Sequence, residues 1–289
     1  MTRGTRNIQL STPAGGAAAS RALWCEDAFF NYCCAVEEAG KVRLFWDLKS
    51  LSPDQYPIAV EIYRDTNLGE GTSLPKVAGP LYDTWTFVDE PGPIYSGKLK
   101  TPVYRIKLLT AKQEHLSAPI RLFANLPPRK ITLARAIIRR LELNARHLPC
   151  WPGYLLKRRW TGEPCTCRDP DTKDVYNSDC QNCFGTGIKL GYWKDAISRT
   201  IAACGPLNTL PIFDKNLQLG NTTTAIFQAK ISGLPPVNQY DAWVAIEGNY
   251  RFYITNIKVD AEINAVPLVY TVELSLAEKG DILYSVPLY

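Results

Sequence analysis

Nine cysteines occur in this chain, and four of them fall in one short stretch. Cys165-Thr-Cys167 is followed, after the loop from Arg168 to Asp179, by Cys180-Gln-Asn-Cys183. Two close pairs joined by a loop that folds back can bring four thiolates onto one tetrahedral Zn²⁺. Pro164 precedes the first pair. Gly185 and Gly187 follow the second, where such a knuckle needs tight turns and unhindered amides facing sulfur. The loop itself is polar and has almost nothing apolar to bury, so a bound metal would be what holds it. Four protein thiolates leave no open position for water, and the metal is therefore expected to be structural.

The same residues admit two other chemistries. A Cys-x-x-Cys pair can be a dithiol redox centre, but that motif follows a strand and opens a helix, and here Gly185-Thr-Gly187 comes next. Two disulfides crossing the loop would also use all four thiols, because a Cys-x-Cys pair does not easily bridge to itself. The other cysteines are Cys25, Cys33, Cys34, Cys150 and Cys204. They read as buried thiols, or as cross-links formed after assembly. Many cysteines without a recognisable export signal point to synthesis in a reducing cytosol.

Basic residues surround the loop. Lys157, Arg158 and Arg159 lie just before it and are candidate contacts for a partner or for phosphates. No recognition-helix pattern follows the second cysteine pair, as a major-groove zinc finger would need. Arg139 and Arg140 lie on a helical stretch with Arg135 and Arg146; they read as a solvated face or as a partner or DNA contact. Catalytic sets are not apparent. The two histidines, His115 and His147, lie in different elements, and no nucleophile, phosphate-loop or dinucleotide motif accompanies them. Asp169, Asp171, Asp174 and Asp179 are expected to make turns. The chain reads as a non-enzyme.

The elements that must position these groups are mainly strands. Residues 1–20 are small and polar and form an arm without a core. Over 21–126, Lys41–Trp46, Ile58–Tyr63, Thr84–Val88 and Val103–Leu109 read as strands between turn residues, a β-sandwich pattern. Residues 22–36 fit a short helix or an irregular strand. A linker at 127–150 contains a helix from Thr132, its cap, to His147, with Leu133, Ile137, Ile138, Leu141 and Ala145 at helical spacing. The cysteine module spans 151–195 and closes with a strand over Ile188–Trp193. Over 196–289 the segments Thr222–Ile231, Ala242–Ile246, Arg251–Val259, Pro267–Leu276 and Ile282–Val286 suggest a small antiparallel barrel or sandwich. The net charge of +5 is too mild to imply nucleic acid. No apolar run is long enough to span a membrane.

Trp46 on an early strand, Tyr63 on the next, Tyr104 on a late one and then Ser117-Ala-Pro119 resemble a fibronectin type III domain. The run Gly153 to Cys165, together with Cys180-Gln-Asn-Cys-Phe-Gly-Thr-Gly187, resembles virion structural proteins of contractile-tailed bacteriophages. Arg139-Arg140 falls on the matching helix, and Arg251-Phe-Tyr-Ile254 looks like a strand of phage head–tail joining proteins. The resemblance implies a neck component, a head–tail connector forming a twelve- or six-fold ring between portal and tail. It implies self-association, contact with portal and tail proteins, DNA passing through the channel, and a place in the virion after synthesis in the host cytoplasm. A baseplate or tail-end protein, and a zinc-containing nucleic-acid-binding protein, are the competing readings.

Overall fold

A computed structural model describes residues 27–38, 41–65, 74–90, 102–147, 150–203 and 226–288. The arm expected over 1–20 lies outside the described residues, as do Cys25 and Cys204. The protein is mainly β. Strands β1 (Phe30–Glu38), β2 (Lys41–Leu48), β3 (Ala59–Asp65), β4 (Lys76–Leu81), β5 (Thr86–Asp89), β6 (Val103–Leu109) and β7 (Glu114–Leu116) form two antiparallel sheets. One is ordered β1-β2-β5 and the other β4-β3-β6-β7. Alternation sets the inner faces: Val42, Leu44 and Trp46 on β2, Val60 and Ile62 on β3, and Tyr104, Ile106 and Leu108 on β6 are buried in one cluster. Of the ambiguous stretch 22–36, residues 22–26 lie outside the described residues and Phe30 onward forms β1, with a register shift between Phe30 and Tyr32. Strands β4 and β7 had no counterpart in the sequence reading.

The helix starts a turn earlier than expected, at Pro128, and ends at His147. The amides of Lys130 and Ile131 donate to Pro127 O at 2.8 and 3.1 Å. Thr132 is thus inside the helix. Pro128 suits its first turn because a residue there has no intrahelical use for an N–H. Ala134 is fully buried, and Ile131, Ile137, Ile138 and Leu141 pack against the same core. Leu133, expected on that face, is instead 53% exposed, since the stripe begins from Ile131.

Strands β8 (Cys150–Trp151), β9 (Gly153–Leu156), β10 (Ile197–Ser198), β11 (Ile201–Ala203), β12 (Ile226–Ser232), β13 (Ala242–Ala245), β14 (Arg251–Ile263) and β15 (Val266–Leu276) form one sheet. Its order is β10-β9-β13-β14-β15-β12-β11-β8. The pairs Cys150↔Ala202, Trp151↔Ile201, Tyr154↔Ser198 and Leu155↔Ile197 keep one register on both sides of Pro152. Residues 150–156 and 197–203 are therefore a single hairpin broken at a proline, which has no N–H for the ladder. One half pairs toward β12 and the other toward β13, so consecutive residues reach opposite ends of the sheet.

This alters the expected organisation. A boundary at 151 cuts through the hairpin, because β8 and β9 belong with the C-terminal strands. The cysteine module is the excursion from the hairpin's tip, residues 157–196. Ile188–Trp193 is not a strand but a turn region with two isolated bridges, Pro164↔Ile188 and Arg158↔Tyr192. Ile282–Ser285 is likewise a 3₁₀ turn where a last strand was expected. It tucks under β14 because the Arg251 guanidinium donates to Leu283 O and, at 2.6 Å, to Val286 O.

Three cores result. The first spans the chain, since Ile197, Leu234, Val266, Leu268 and Val269 join the cluster of the N-terminal sheets. The second lies within the eight-stranded sheet around Trp243, Phe252, Ile254 and Val272. The third joins Leu156, Ala242 and Val244 to Tyr192, Leu283 and Val286. Strand β13 is buried on both faces between the last two, which explains its unbroken apolar run. Gly153 is required beside it. A Cβ there would lie 2.3 Å from the Trp243 ring.

Candidate metal centre

The two cysteine pairs converge. All four sulfurs lie within 4.8 Å of one another. Cys165 Sγ is 3.8 Å from Cys180 Sγ, and Cys167 Sγ is 3.3 Å from Cys183 Sγ. A tetrahedral thiolate site with metal–sulfur bonds of about 2.3 Å has sulfur–sulfur edges of about 3.8 Å. Disulfide sulfurs would stand about 2.05 Å apart. Four cysteines thus lie close enough to hold a metal ion, in a set that fits a tetrahedral one.

Local hydrogen bonding builds each half. Cys183 N and Phe184 N donate to Cys180 O at 3.3 and 2.7 Å, turning the chain after the second pair. Gly185 and Gly187 follow at φ 72° and 78°, as their placement after the cysteines anticipates. At Gly185 a side chain would also meet Ser178 O at 2.8 Å. Cys165 N donates to Gly187 O at 3.0 Å and Lys189 N to Glu163 O at 2.9 Å, zipping the two halves together. The loop is held by turns. Asp169 Oδ1 accepts from Asp171 N at 2.7 Å and Thr172 N at 3.2 Å, and Tyr176 N donates to Cys167 O at 2.9 Å. Most of residues 170–179 are exposed.

The thiols of the cluster differ in how readily they ionise. The amide of Asn182, then neighbouring thiol and amide donors, pull the Cys180 thiol down to about 7. Burial pushes Cys167 and Cys183 the other way. Clustered thiols cannot all ionise together unless a positive charge stands among them. A metal would supply that charge. The protein's part is to hold four sulfurs in place and to turn peptide N–H groups toward them.

The basic residues before the loop divide by burial. Lys157 is 2% exposed; its Nζ donates to Asp241 Oδ2 at 2.7 Å and Pro236 O at 2.9 Å. Asp241 is fully buried and also accepts from Arg158 N at 3.0 Å and Asn238 N at 2.7 Å. Arg159 is 5% exposed and lies over the Trp193 ring, 4.1 Å from its centroid. Lys157 and Arg159 are therefore not outward contacts for a partner or DNA, because both side chains are buried, Lys157 against the buried Asp241 and Arg159 against Trp193. Arg158 is half-buried, with its guanidinium 4.6 Å from the Trp160 ring and 5.4 Å from Tyr240. Arg139 and Arg140 are exposed on the helix.

Asp241 and Arg251 were not anticipated as fasteners. Asp241 had one signal, an acid directly before the apolar run Ala242–Ala245. His115 Nε2 lies 2.9 Å from Asp27 Oδ2, with the ring 4.8 Å from Phe29. Cys33 and Cys34 are fully buried on β1. Among the described residues no helix is long and apolar enough to cross a membrane. Compared with known proteins, the chain matches no family, no curated sequence and no solved structure.

Proposed function

We propose that this chain is a structural component of a tailed-phage virion, a ring-forming neck protein between portal and tail. A structural Zn²⁺ on Cys165, Cys167, Cys180 and Cys183 fastens its module. The observation that carries the structural part is the closed set of four sulfurs on an excursion seated by the buried Lys157–Asp241 pair. A loop with no core of its own becomes a rigid part of the body, which suits a load-bearing subunit more than a catalyst. The N-terminal reading as fibronectin-like is supported by seven strands in a three-on-four arrangement with Trp46 and Tyr104 buried between them. A barrel-like C-terminal unit is supported by the hairpin that reaches both ends of its sheet. Arg139 and Arg140 remain as contacts for a partner or for DNA in the channel.

The neck assignment rests on the resemblance of the cysteine segment, and electron microscopy of particles made without this protein tests it. Filled or leaking heads beside complete free tails are expected. Tails without an end plate would move the protein to the baseplate. Normal particles would overturn the structural reading. If the isolated chain then bound DNA with steep salt dependence, the nucleic-acid alternative would replace it.

A further inference from the structure

Arg158, Trp160 and Tyr240 form a surface cluster that the metal centre does not use. The Arg158 guanidinium lies 4.6 Å from the Trp160 ring and 5.4 Å from Tyr240, and the two ring centroids are 6.5 Å apart. Trp160 is 43% exposed and Tyr240 45%. The guanidinium makes no ion pair and no hydrogen bond among the described residues. Of its nitrogens only Nε is enclosed, so the two Nη groups reach solvent.

The backbone sets this cluster firmly. Arg158 N donates to Asp241 Oδ1 at 3.0 Å. Tyr240, next to Asp241, stands at φ 68° and donates its N–H to Ile254 O at 2.8 Å. A bulky residue in the left-handed region is strained, and such strain is kept where the presented side chain is used. Trp, Tyr and Arg are the residue types that dominate protein interfaces. A phosphate track would need several outward cations, and the neighbouring Lys157 and Arg159 are buried. What the cluster lacks is a carboxylate.

The loop from Arg168 to Asp179 offers the converse. Asp171, Asp174 and Asp179 are exposed, and their carboxylates have no partner among the described residues. Tyr176 is 73% exposed, more than any other large apolar side chain described, and Asp174 stands close enough to bear on its hydroxyl. Every hydrogen bond of the loop stays within residues 165–180, so none of its polar groups is spent on the rest of the chain.

We propose that the Arg158–Trp160–Tyr240 cluster is a docking site for the acidic loop of a second copy of this chain, with Asp174 pairing with Arg158 and Tyr176 seated against the two rings. The two patches differ, so the contact is head-to-tail, and repeating it closes a ring when the rotation allows. The proposal rests on the ring reading for its choice of occupant and gives that reading a self-contact.

Sedimentation velocity of the full, zinc-loaded chain tests it. Wild type should self-associate. Arg158→Glu, Trp160→Ala and Asp174→Lys should each weaken association at least about tenfold while leaving the melting temperature unchanged. Arg158→Glu mixed with Asp174→Lys should recover association, because one contact is then native and the other charge-swapped. Trp160→Ala and Asp174→Lys change exposed side chains and keep the test decisive if Arg158→Glu misfolds. A wild-type chain still monomeric at about 100 μM, or variants that associate like wild type, would overturn the proposal. Binding of single-stranded DNA that Trp160→Ala abolishes, without self-association, would give the cluster to nucleic acid instead. Unaffected variants beside free tails in particles made without the protein would sink this contact and leave the neck reading standing. Charge-dependent association beside normal particles would do the reverse.

Discussion

The loop from Arg168 to Asp179 and the β14–β15 hairpin are built in opposite ways. The hairpin pairs along its length and carries Phe252, Ile254, Val272 and Leu274 into a fully buried core. The loop has Asx turns, exposed carboxylates and a ring of four sulfurs at its base. One region is held by apolar area, the other by local turns above four converging cysteines. A metal bound by those sulfurs would fix the loop's shape, whereas the hairpin depends only on the chain.

The sharpest way to break this comparison is to remove a ligand. Cys183→Ser should take the bound metal from one equivalent to none by elemental analysis, and open residues 168–179 to protease. Structural zinc sites contribute about 10 kcal/mol of binding free energy, so the module should unfold while the sheet keeps its circular dichroism. A chelator should reproduce the effect. If the wild-type module resists protease equally well after chelation, the metal does not hold it.

Trp243→Ala attacks the other region. It empties the centre of the sheet core and should cost about 3–5 kcal/mol in denaturant unfolding, with metal content unchanged in the folded fraction. Loss of metal from the folded variant would show that the two regions are not separately held. Lys157→Met tests the junction. It leaves Asp241 buried without its cation and should cost about 3–5 kcal/mol. Adding Asp241→Asn should recover part of that loss, whereas an additive second penalty would count against the pair.

The smallest effect concerns the seam between the N-terminal sheets and the C-terminal strands. Glu38 accepts from Arg199 and Arg43, each at 2.9 Å. Burial raises its pKa, but the two guanidinium groups outweigh that and hold the carboxyl below the ordinary 4.5. Because the folded value is depressed, the stabilisation is full above pH about 4.5 and fades as pH falls through the folded value. Glu38→Gln should cost about 1 kcal/mol at pH 7, and the cost should shrink as pH falls below about 4.5. A penalty unchanged across that range would remove the ion pairs as its cause.

Much of the strand content was legible because alternation at period two is local. Val42-x-Leu44-x-Trp46 needs only one buried side to read as β. The helix body was legible for the same reason, and its start was misread because Pro127-Pro128 reads equally as a stop or as a first turn. The final turn, Ile282–Ser285, was misread as a strand. Its apolar side chains pack against Leu156, Ala242 and Val244, and its carbonyls are held by Arg251, 32 and 35 positions back in the chain.

The cysteine set was determined by the sequence alone, because two short-range pairs and the glycines after them bring sulfur to sulfur with little help from the rest of the fold. The run Lys157-Arg158-Arg159 shows what the sequence did not determine. Its three cations look alike along the chain, yet two are buried and one lies between exposed rings. Only the tertiary structure decided this, because Asp241 lies 84 positions from Lys157 and Asp83 lies 76 from Arg159. A charge is buried where its counter-charge waits, and that place exists only once the sheets have met.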